Sequence, residues 1–176
     1  MPTFKYKGRL PAVNDQNKRH SEKQQIRRQL HPQIASFMED PPNPIFLLSE
    51  SSERVTIGAF TFQPIICRRH KLRCKIDLVI FSRDPFGSVI QNADLDNRLK
   101  TLFDALRPPR SIDELPKGDV PGDDESLFWT LLQDDSLITD LSVRSEILYT
   151  PLQRDERRSD IEMNITISVE FGQLSF

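Results

Sequence analysis

The sequence is poor in cysteine, glycine and tryptophan, and it has no long apolar run. Two of its 176 residues are cysteine, six are glycine and one is tryptophan. Two cysteines cannot build a disulfide framework, so we expect both as thiols in a reducing compartment. No apolar segment approaches the length that crosses a bilayer, and the opening MPTFKYKGRL lacks the apolar core of a signal peptide. We therefore expect a cytoplasmic protein with no membrane partner.

The sequence also lacks the motifs of several common sites. No glycine-rich loop is present to cradle phosphate groups, which disfavours nucleoside triphosphate chemistry. His20 and His31 stand in no nucleophile and base pattern, so hydrolysis through a serine or cysteine is not expected. Cys67, His70 and Cys74 invite a zinc interpretation, but their spacing is unusual for zinc and no fourth ligand is evident nearby. A zinc site is therefore disfavoured.

The length and composition are those of a globular protein. A chain of 176 residues is long enough for one domain with a core and short for two, so we expect a single domain over residues 1–176. Hydrophobic residues make up 37% and charged residues 28%, which is typical of globular chains and not of disordered ones. The net charge of −2 argues against a protein that holds nucleic acid by bulk attraction alone.

The apolar pattern predicts an α+β fold in which two main helices pack on one face of a mixed β-sheet. Alternation of apolar and polar residues is clearest at 160–171, where Ile161, Met163 and Ile165 begin one buried face. Strands are predicted at 3–10, 45–50, 53–66, 72–81, 138–149 and 160–171.

Two helices and one long loop are predicted between these strands. Ser21 and Gln24 form a capping-box pattern, so the first helix is expected to begin at Ser21, with a kink or break at Pro32. The second helix is predicted at about 96–107. The acidic stretch at about 107–133 is predicted to be a surface loop, in which LFWTLL adds a helical turn.

Aspartates gather at the start of the second predicted helix, in ADLDNRLKTLFDAL at 93–106. Asp96, Lys100 and Asp104 are four residues apart, so on a helix they lie in one row. Asp94 is expected in an extended approach to the helix, where its side chain can point the same way. The same positions suit a helix N-cap and ordinary ion pairs within a helix, and this structural interpretation stays open.

A second acidic pair, Asp134 and Asp135, comes just before a predicted strand. Adjacent acids of this kind also occur in ordinary turns. Carboxylate oxygens gathered from separate segments are the ligands that Mg²⁺ prefers, and Mn²⁺ can replace it. With Lys100 adding positive charge beside a phosphate, the pattern indicates phosphodiester hydrolysis.

Two stretches together resemble the signature of RusA-type Holliday-junction resolvases. DLDNRLKTLFDAL resembles the pattern D-x-D-N-x-x-K-x-x-x-D-x-L on a strand-to-helix turn, and DDSLITDLSVRS resembles an acidic pair that leads into a strand. The resemblance implies a Mg²⁺-dependent, homodimeric endonuclease that cuts branched or four-way junction DNA in recombination and repair.

The resemblance also implies roles for individual residues. Asp94, Asp96 and Asp135 match metal-binding carboxylates, and with Lys100 they match the catalytic set. Further support is implied at three motif positions, namely Asn97, Asp104 and Asp134. One departure concerns spacing: Asp135 follows Asp96 by 39 positions, more than is usual in the family, because the acidic stretch is inserted. We expect this loop to repel DNA unless it swings clear.

Basic residues collect at 17–28 and 67–75. Phosphate contacts need a surface of this kind, and the alternative is a solvated strand edge protected by charge. The residues predicted to contact DNA are Lys18, Arg19, Arg68, Arg69 and Lys71. A competing interpretation of the whole chain is a non-catalytic DNA-binding or regulatory protein on the same fold.

Overall fold

The computed structural model describes residues 1–10, 16–39, 53–83, 93–149, 151, 157 and 160–171. The helices are α1 (Gln16–Glu39) and α2 (Ala93–Leu106). The described strands are β1 (Thr3–Gly8), β2 (Val55–Ile57), β3 (Phe60–Ile66), β4 (Leu72–Ser82), β5 (Phe128–Leu132), β6 (Ile138–Ile147) and β7 (Ile161–Phe171). The predicted α+β class, with a mixed sheet and two helices, is confirmed.

The described strands form two sheets. The larger has the order β1-β7-β4-β6, in which β4 is antiparallel to β7 and parallel to β6. The smaller has the order β2-β3-β5, in which β3 is antiparallel to β2 and parallel to β5. Parallel neighbours need a crossover connection. The chain between β4 and β6 supplies one, and it carries α2, the acidic stretch and β5.

The core lies on one face of the larger sheet. Ile76 and Leu78 of β4 stand opposite Ile167 and Ile165 of β7, and all four side chains are buried. Side chains alternate between the two faces of a strand, so these residues share the face that the helices cover. Each fully buried isoleucine or leucine stabilises the fold by roughly 1.5–3 kcal/mol. None of the helices in the described part of the chain is long and apolar enough to span a bilayer.

A hairpin stands where one strand was predicted at 53–66. Gly58 has a φ of +61°, a left-handed conformation that glycine adopts without a steric penalty, and it turns the chain between β2 and β3. The strand predicted at 45–50 lies outside the described residues.

The helical turn predicted in LFWTLL is wrong, because these residues form β5. A run of six mostly apolar residues fits a buried strand or a buried helix equally well from sequence alone. Parallel pairing decides the matter, since Phe128 stands beside Phe62 and Leu132 stands beside Ile66.

The start predicted for the first helix is also wrong. α1 begins at Gln16, so Ser21 lies inside the helix and caps no end. A capping box stabilises the first turn, whose N–H groups lack partners, and Ser21 is beyond that turn. Pro32 lies within α1 and does not end it, since the helix continues to Glu39.

Side chains of α1 occupy the outer edge of β1. The amide of Gln33 accepts a hydrogen bond from the Lys5 N–H at 2.8 Å and donates one to the Lys5 carbonyl at 2.7 Å. The amide of Gln29 accepts a hydrogen bond from the Lys7 N–H at 3.1 Å and donates one to the Lys7 carbonyl at 2.9 Å. Each amide takes the place of a neighbouring strand, which satisfies backbone groups that an edge strand otherwise leaves open.

Replacing these amides should open the β1 edge. In Gln29→Ala/Gln33→Ala, we expect the amide hydrogens of Lys5 and Lys7 to exchange faster, because they lose their acceptors. The amides of Phe4 and Tyr6, which point to the β7 side, are the internal control and should change little. Hydrogen exchange followed by NMR measures both sets. Equal acceleration of all four would contradict a local role for the glutamines.

Candidate metal and nucleic-acid site

The helix α2 carries the first half of the motif and packs beside the second half. Leu102, Ala105 and Leu106 are buried on one face of α2. The opposite surface of α2 is exposed at Asp96 and Lys100. α2 contacts α1, β5 and a short 3-10 helix formed by Asp135–Leu137. The fold therefore brings together two segments that are far apart in the sequence.

Asp96 and Lys100 form an exposed ion pair on α2. The Lys100 Nζ lies 2.9 Å from the Asp96 Oδ2, and each side chain is 69% exposed. Such a pair contributes little to folding, so it leaves both groups available to a ligand. Asn97 is half-buried beside them, and its backbone carbonyl accepts a hydrogen bond from the Thr101 hydroxyl.

The extended approach predicted for Asp94 is wrong. Its backbone belongs to α2, which begins at Ala93. Positions two apart on a helix do not share a face, so a helical backbone does not align positions 94 and 96. The side chain of Asp94 lies outside the described part of the structure.

Asp134 caps the short 3-10 helix and is held by an arginine. Its Oδ1 accepts hydrogen bonds from the Ser136 N–H and from the Arg68 Nη2, both at 3.0 Å. The hydrogen bonds from Ser136 and the nearby charge of Arg68 lower the pKa of Asp134 and outweigh the effect of burial. This residue is therefore ionised and engaged by its own turn, which matches the structural interpretation of the acidic pair.

Asp135 is more open than its neighbour. Its side chain is 42% exposed, and the Nη2 of Arg110 lies 3.9 Å from its Oδ1. The same Arg110 atom lies 4.0 Å from Asp134 Oδ2. Sequence reasoning missed Arg110, because it stands 25 positions before Asp135, just after the prolines that follow α2. Two arginines thus flank the acidic pair.

The donor chemistry fits a hard divalent cation, but the described side chains do not assemble a complete site. Asp96 and Asp135 offer exposed carboxylate oxygens on adjoining elements, which are the donors that Mg²⁺ and Mn²⁺ prefer. Among the residues whose side chains are described, no group of three or more histidine, cysteine, aspartate or glutamate side chains is placed to hold a metal ion.

Asp104 is tied into the packing of the two helices. Its Oδ2 lies 2.5 Å from the Nζ of Lys23, and its Oδ1 lies 2.5 Å from the Nη2 of Arg107. Burial raises the pKa of Asp104, but the hydrogen bonds and charges of Lys23 and Arg107 outweigh this and lower it. Asp104 therefore joins α2 to α1 through ionic contacts.

The two basic patches, 17–28 and 67–75, differ in their exposure to solvent. In the first, Lys23 and Arg27 are buried and Arg28 is bound to acids of the inserted stretch. Arg19 is half-buried, and the side chain of Lys18 lies outside the described residues. Most of this patch is therefore used by the fold and is not open to phosphate.

The second patch is exposed. Arg68 and Arg69 lie on a 3-10 helix between β3 and β4, and Lys71 closes it in a left-handed conformation with a φ of 53°. Arg68 also donates to the Ser136 hydroxyl at 2.5 Å. Gln133, which no sequence motif singles out, accepts a hydrogen bond from the Arg68 N–H at 2.9 Å. The patch is thereby fixed beside the acidic pair.

The cysteines take no part in a described metal site. Cys67 and Cys74 are both buried thiols. Burial raises the pKa of each to about 12, so neither forms the thiolate that zinc binds near neutral pH. The side chain of His70 lies outside the described residues.

The acidic stretch is an ordered segment bound to α1. Arg28 contacts Asp119 at 2.8 Å and Glu125 at 2.9 Å, and its guanidinium lies 5.7 Å from the centre of the Phe60 ring. These contacts neutralise two acids of the stretch, whereas others, Asp113 among them, remain exposed. They also hold the stretch against α1.

His31 fastens the same stretch to α1. Its Nδ1 accepts a hydrogen bond from the Trp129 N–H at 2.9 Å, and its Nε2 lies 3.2 Å from the Asp124 carbonyl oxygen. A neutral imidazole with hydrogen on Nε2 satisfies both contacts. The ring also stacks on Phe128 with centroids 4.6 Å apart.

Fold and site together define an α+β protein with an acidic pair flanked by arginines and packed beside an aspartate-bearing helix. Comparisons with protein-family models, with curated proteins and with solved structures find no match to this chain.

Asp104 is partly buried and Asp96 is exposed, so we predict that removing Asp104 lowers the free energy of unfolding more than removing Asp96. Asp104→Ala should lower the free energy of unfolding by about 3 kcal/mol, because the buried ammonium group of Lys23 loses its carboxylate partner and Arg107 keeps Glu114 alone. Asp96→Ala removes an exposed pair and should cost less than about 1 kcal/mol. Denaturant unfolding measures both.

At acid pH, wild type and Asp104→Ala should have similar free energies of unfolding. A carboxylate with a lowered folded-state pKa stabilises the fold above its ordinary pKa and loses that contribution as the pH falls through the folded-state value. The gap between the two proteins should therefore shrink below about pH 4. A gap that stays constant in this range would contradict the assigned ion pairs.

Proposed function

We propose that this chain is a Mg²⁺-dependent endonuclease that hydrolyses phosphodiester bonds in branched DNA and acts as a homodimer, as its resemblance to RusA-type resolvases implies. One observation carries the proposal: α2, which bears Asp94, Asp96 and Lys100, packs on the 3-10 helix that follows Asp134. The two halves of the motif are therefore neighbours in the fold, as a shared site requires.

In the proposed site, Asp96 and Asp135 would hold the cation, and the resemblance adds Asp94, whose side chain would reach the ion from a different face of α2. When bound, Mg²⁺ supplies a water of lowered pKa and positive charge that offsets charge on the phosphate. In the free protein, the ammonium group of Lys100 pairs with Asp96. A bound phosphate would give this ammonium group a second anionic partner. Its role is to stabilise negative charge that develops on the phosphate.

The arginines beside the acidic pair suit the DNA backbone. Arg68 and Arg110 are both more than half exposed, so their guanidinium groups reach solvent as well as the carboxylates. Guanidinium groups bind phosphate oxygens through paired hydrogen bonds. With Arg69 and Lys71, they form a positive surface next to the proposed site of cleavage.

A second candidate function is DNA binding without cleavage. The observation that favours it is the engagement of Asp134 by Arg68, with Arg110 close to Asp135. Arginines that neutralise carboxylates lower the affinity of those carboxylates for a cation. In this alternative, the acids serve to orient the arginines toward phosphate.

Removal of single carboxylates separates these functions. Asp94→Asn, Asp96→Asn and Asp135→Asn should each abolish Mg²⁺-dependent nicking of a four-way junction while junction binding is largely kept, because each removes a metal ligand and leaves the phosphate-binding groups in place. Lys100→Ala should slow the chemical step more than it weakens binding. The measurements are nicking of labelled junctions and an electrophoretic mobility assay.

The exposed acid Asp113 on the inserted stretch provides the matched control. Asp113→Asn removes the same charge away from the motif and should nick as wild type does. Wild-type protein that binds junctions but never cuts them with Mg²⁺ or Mn²⁺ would refute the endonuclease proposal and favour the second candidate.

Charge removal at the exposed patch should act on binding. Arg68→Ala/Arg69→Ala should weaken junction binding and reduce the slope of log K against log salt by about one unit for each phosphate that is no longer neutralised. The control, Lys5→Ala/Lys117→Ala, removes two exposed charges elsewhere. Titrations at several salt concentrations measure the slopes, and identical slopes for both double variants would count against the patch.

A further inference from the structure

The two outer edges of the larger sheet differ in how their backbone groups are hydrogen-bonded. The β1 edge is occupied by the amides of Gln29 and Gln33, as described above. The other edge is β6, and within the described residues β6 pairs with β4 alone. A long edge strand with unpaired backbone groups is a template for pairing with another strand.

Among the described residues, the side of β6 that continues the core face is only partly covered. Leu141 and Val143 stand beside Ile76 and Leu78 of β4, which are buried. Val143 packs against the core, but Leu141 is 37% exposed and Ile147 on the same face is 46% exposed. An apolar strip on β6 therefore remains in contact with solvent.

We propose that a second copy of this chain pairs with this edge, β6 against β6 and antiparallel, around a two-fold axis at Ser142. This register joins residues 140–144 of one copy to residues 144–140 of the other, beyond the β-bulge that lies between Ile138 and Asp140. It places Asp140 of each copy opposite Arg144 of its partner, and Leu141 opposite Val143. The strand is therefore complementary to itself in charge and in apolar character.

The symmetry of the pair accounts for the matching faces. A two-fold axis perpendicular to the sheet keeps each residue on the same face in both copies, so opposed residues always share a face. Asp140 and Arg144 then meet on the polar face, and the apolar strips meet on the core face. The two four-stranded sheets become one sheet of eight strands, and each cross-strand pair adds roughly 0.2–1 kcal/mol.

Charge selects this register over the neighbouring one. A two-fold axis at Val143 would set Asp140 against Glu146, and like charges directly opposite are destabilising. Arg144 now lies 3.3 Å from the exposed carboxylate of Asp77 on the adjacent strand. In the dimer, Arg144 would also contact Asp140 of the second copy on the same face of the sheet.

Charge reversal tests the pairing without DNA or metal. Asp140→Arg and Arg144→Asp each place like charges opposite one another twice in the dimer, so each should raise the dimer dissociation constant about tenfold or more. The double variant Asp140→Arg/Arg144→Asp restores both pairs and should restore dimerisation. Sedimentation equilibrium of the full chain measures the constants, and circular dichroism checks folding.

The control reverses an exposed pair inside the sheet. Lys7 of β1 lies 3.0 Å from Glu162 of β7, on the far side of the sheet from β6, so Lys7→Glu/Glu162→Lys should leave the dimer constant unchanged. A wild-type protein that stays monomeric at high concentration, or a double variant that is not rescued, would overturn the inference.

The proposed function includes a homodimer, but this experiment measures association and not nicking, so the inference and the endonuclease can fail separately. A chain that dimerises through β6 and never cuts DNA would sustain this inference and refute the endonuclease. A monomeric chain that cuts junctions would overturn this inference and the homodimer and sustain the endonuclease.

Discussion

The buried guanidinium of Arg27 fixes how the two helices meet. Only 1% of this residue is exposed, and it donates hydrogen bonds to the Asp104 carbonyl at 2.7 Å and the Arg107 carbonyl at 3.0 Å. The last carbonyl groups of a helix have no partner within the helix, so Arg27 satisfies the C-terminal end of α2. Burial and the neighbouring Arg107 lower the pKa of Arg27 to about 10, which still leaves it charged near neutral pH. An uncompensated charge of this kind is expensive to bury, so the surrounding acids hold α2 in one position.

α1, the helix that carries Arg27, also contacts β1, the acidic stretch and β5. Its glutamines satisfy the edge of β1, its Arg28 binds the acidic stretch, and its His31 receives the backbone of β5. An acidic stretch of this length would otherwise leave more acids free beside the proposed DNA surface. The contacts with α1 neutralise part of that charge, and they give the stretch a fixed course between α2 and β5.

Charges used by the fold and charges left for function can be separated by burial. Lys23, Arg27 and Arg107 are buried among acids, whereas Arg68 and Arg110 are exposed beside the acidic pair. The buried group stabilises one arrangement of helices, because removing Asp104 takes a carboxylate partner from both Lys23 and Arg107. The exposed group contributes little to folding, so its position beside carboxylates is available for binding an anionic backbone.

The sequence by itself determined the elements whose signal is local and strong: the strands β4, β6 and β7, the helix α2, and the α+β class through the order of these elements. Two acidic segments could also be selected as a candidate site, because Asp96, Lys100 and Asp135 belong to short patterns. Only the tertiary structure decided that LFWTLL is a strand, since a short apolar run takes its conformation from its neighbour β3. It also decided that Lys23, Arg27 and Asp104 are internal contacts, because the partner of a charged residue can stand eighty positions away and leaves no periodic trace in the sequence.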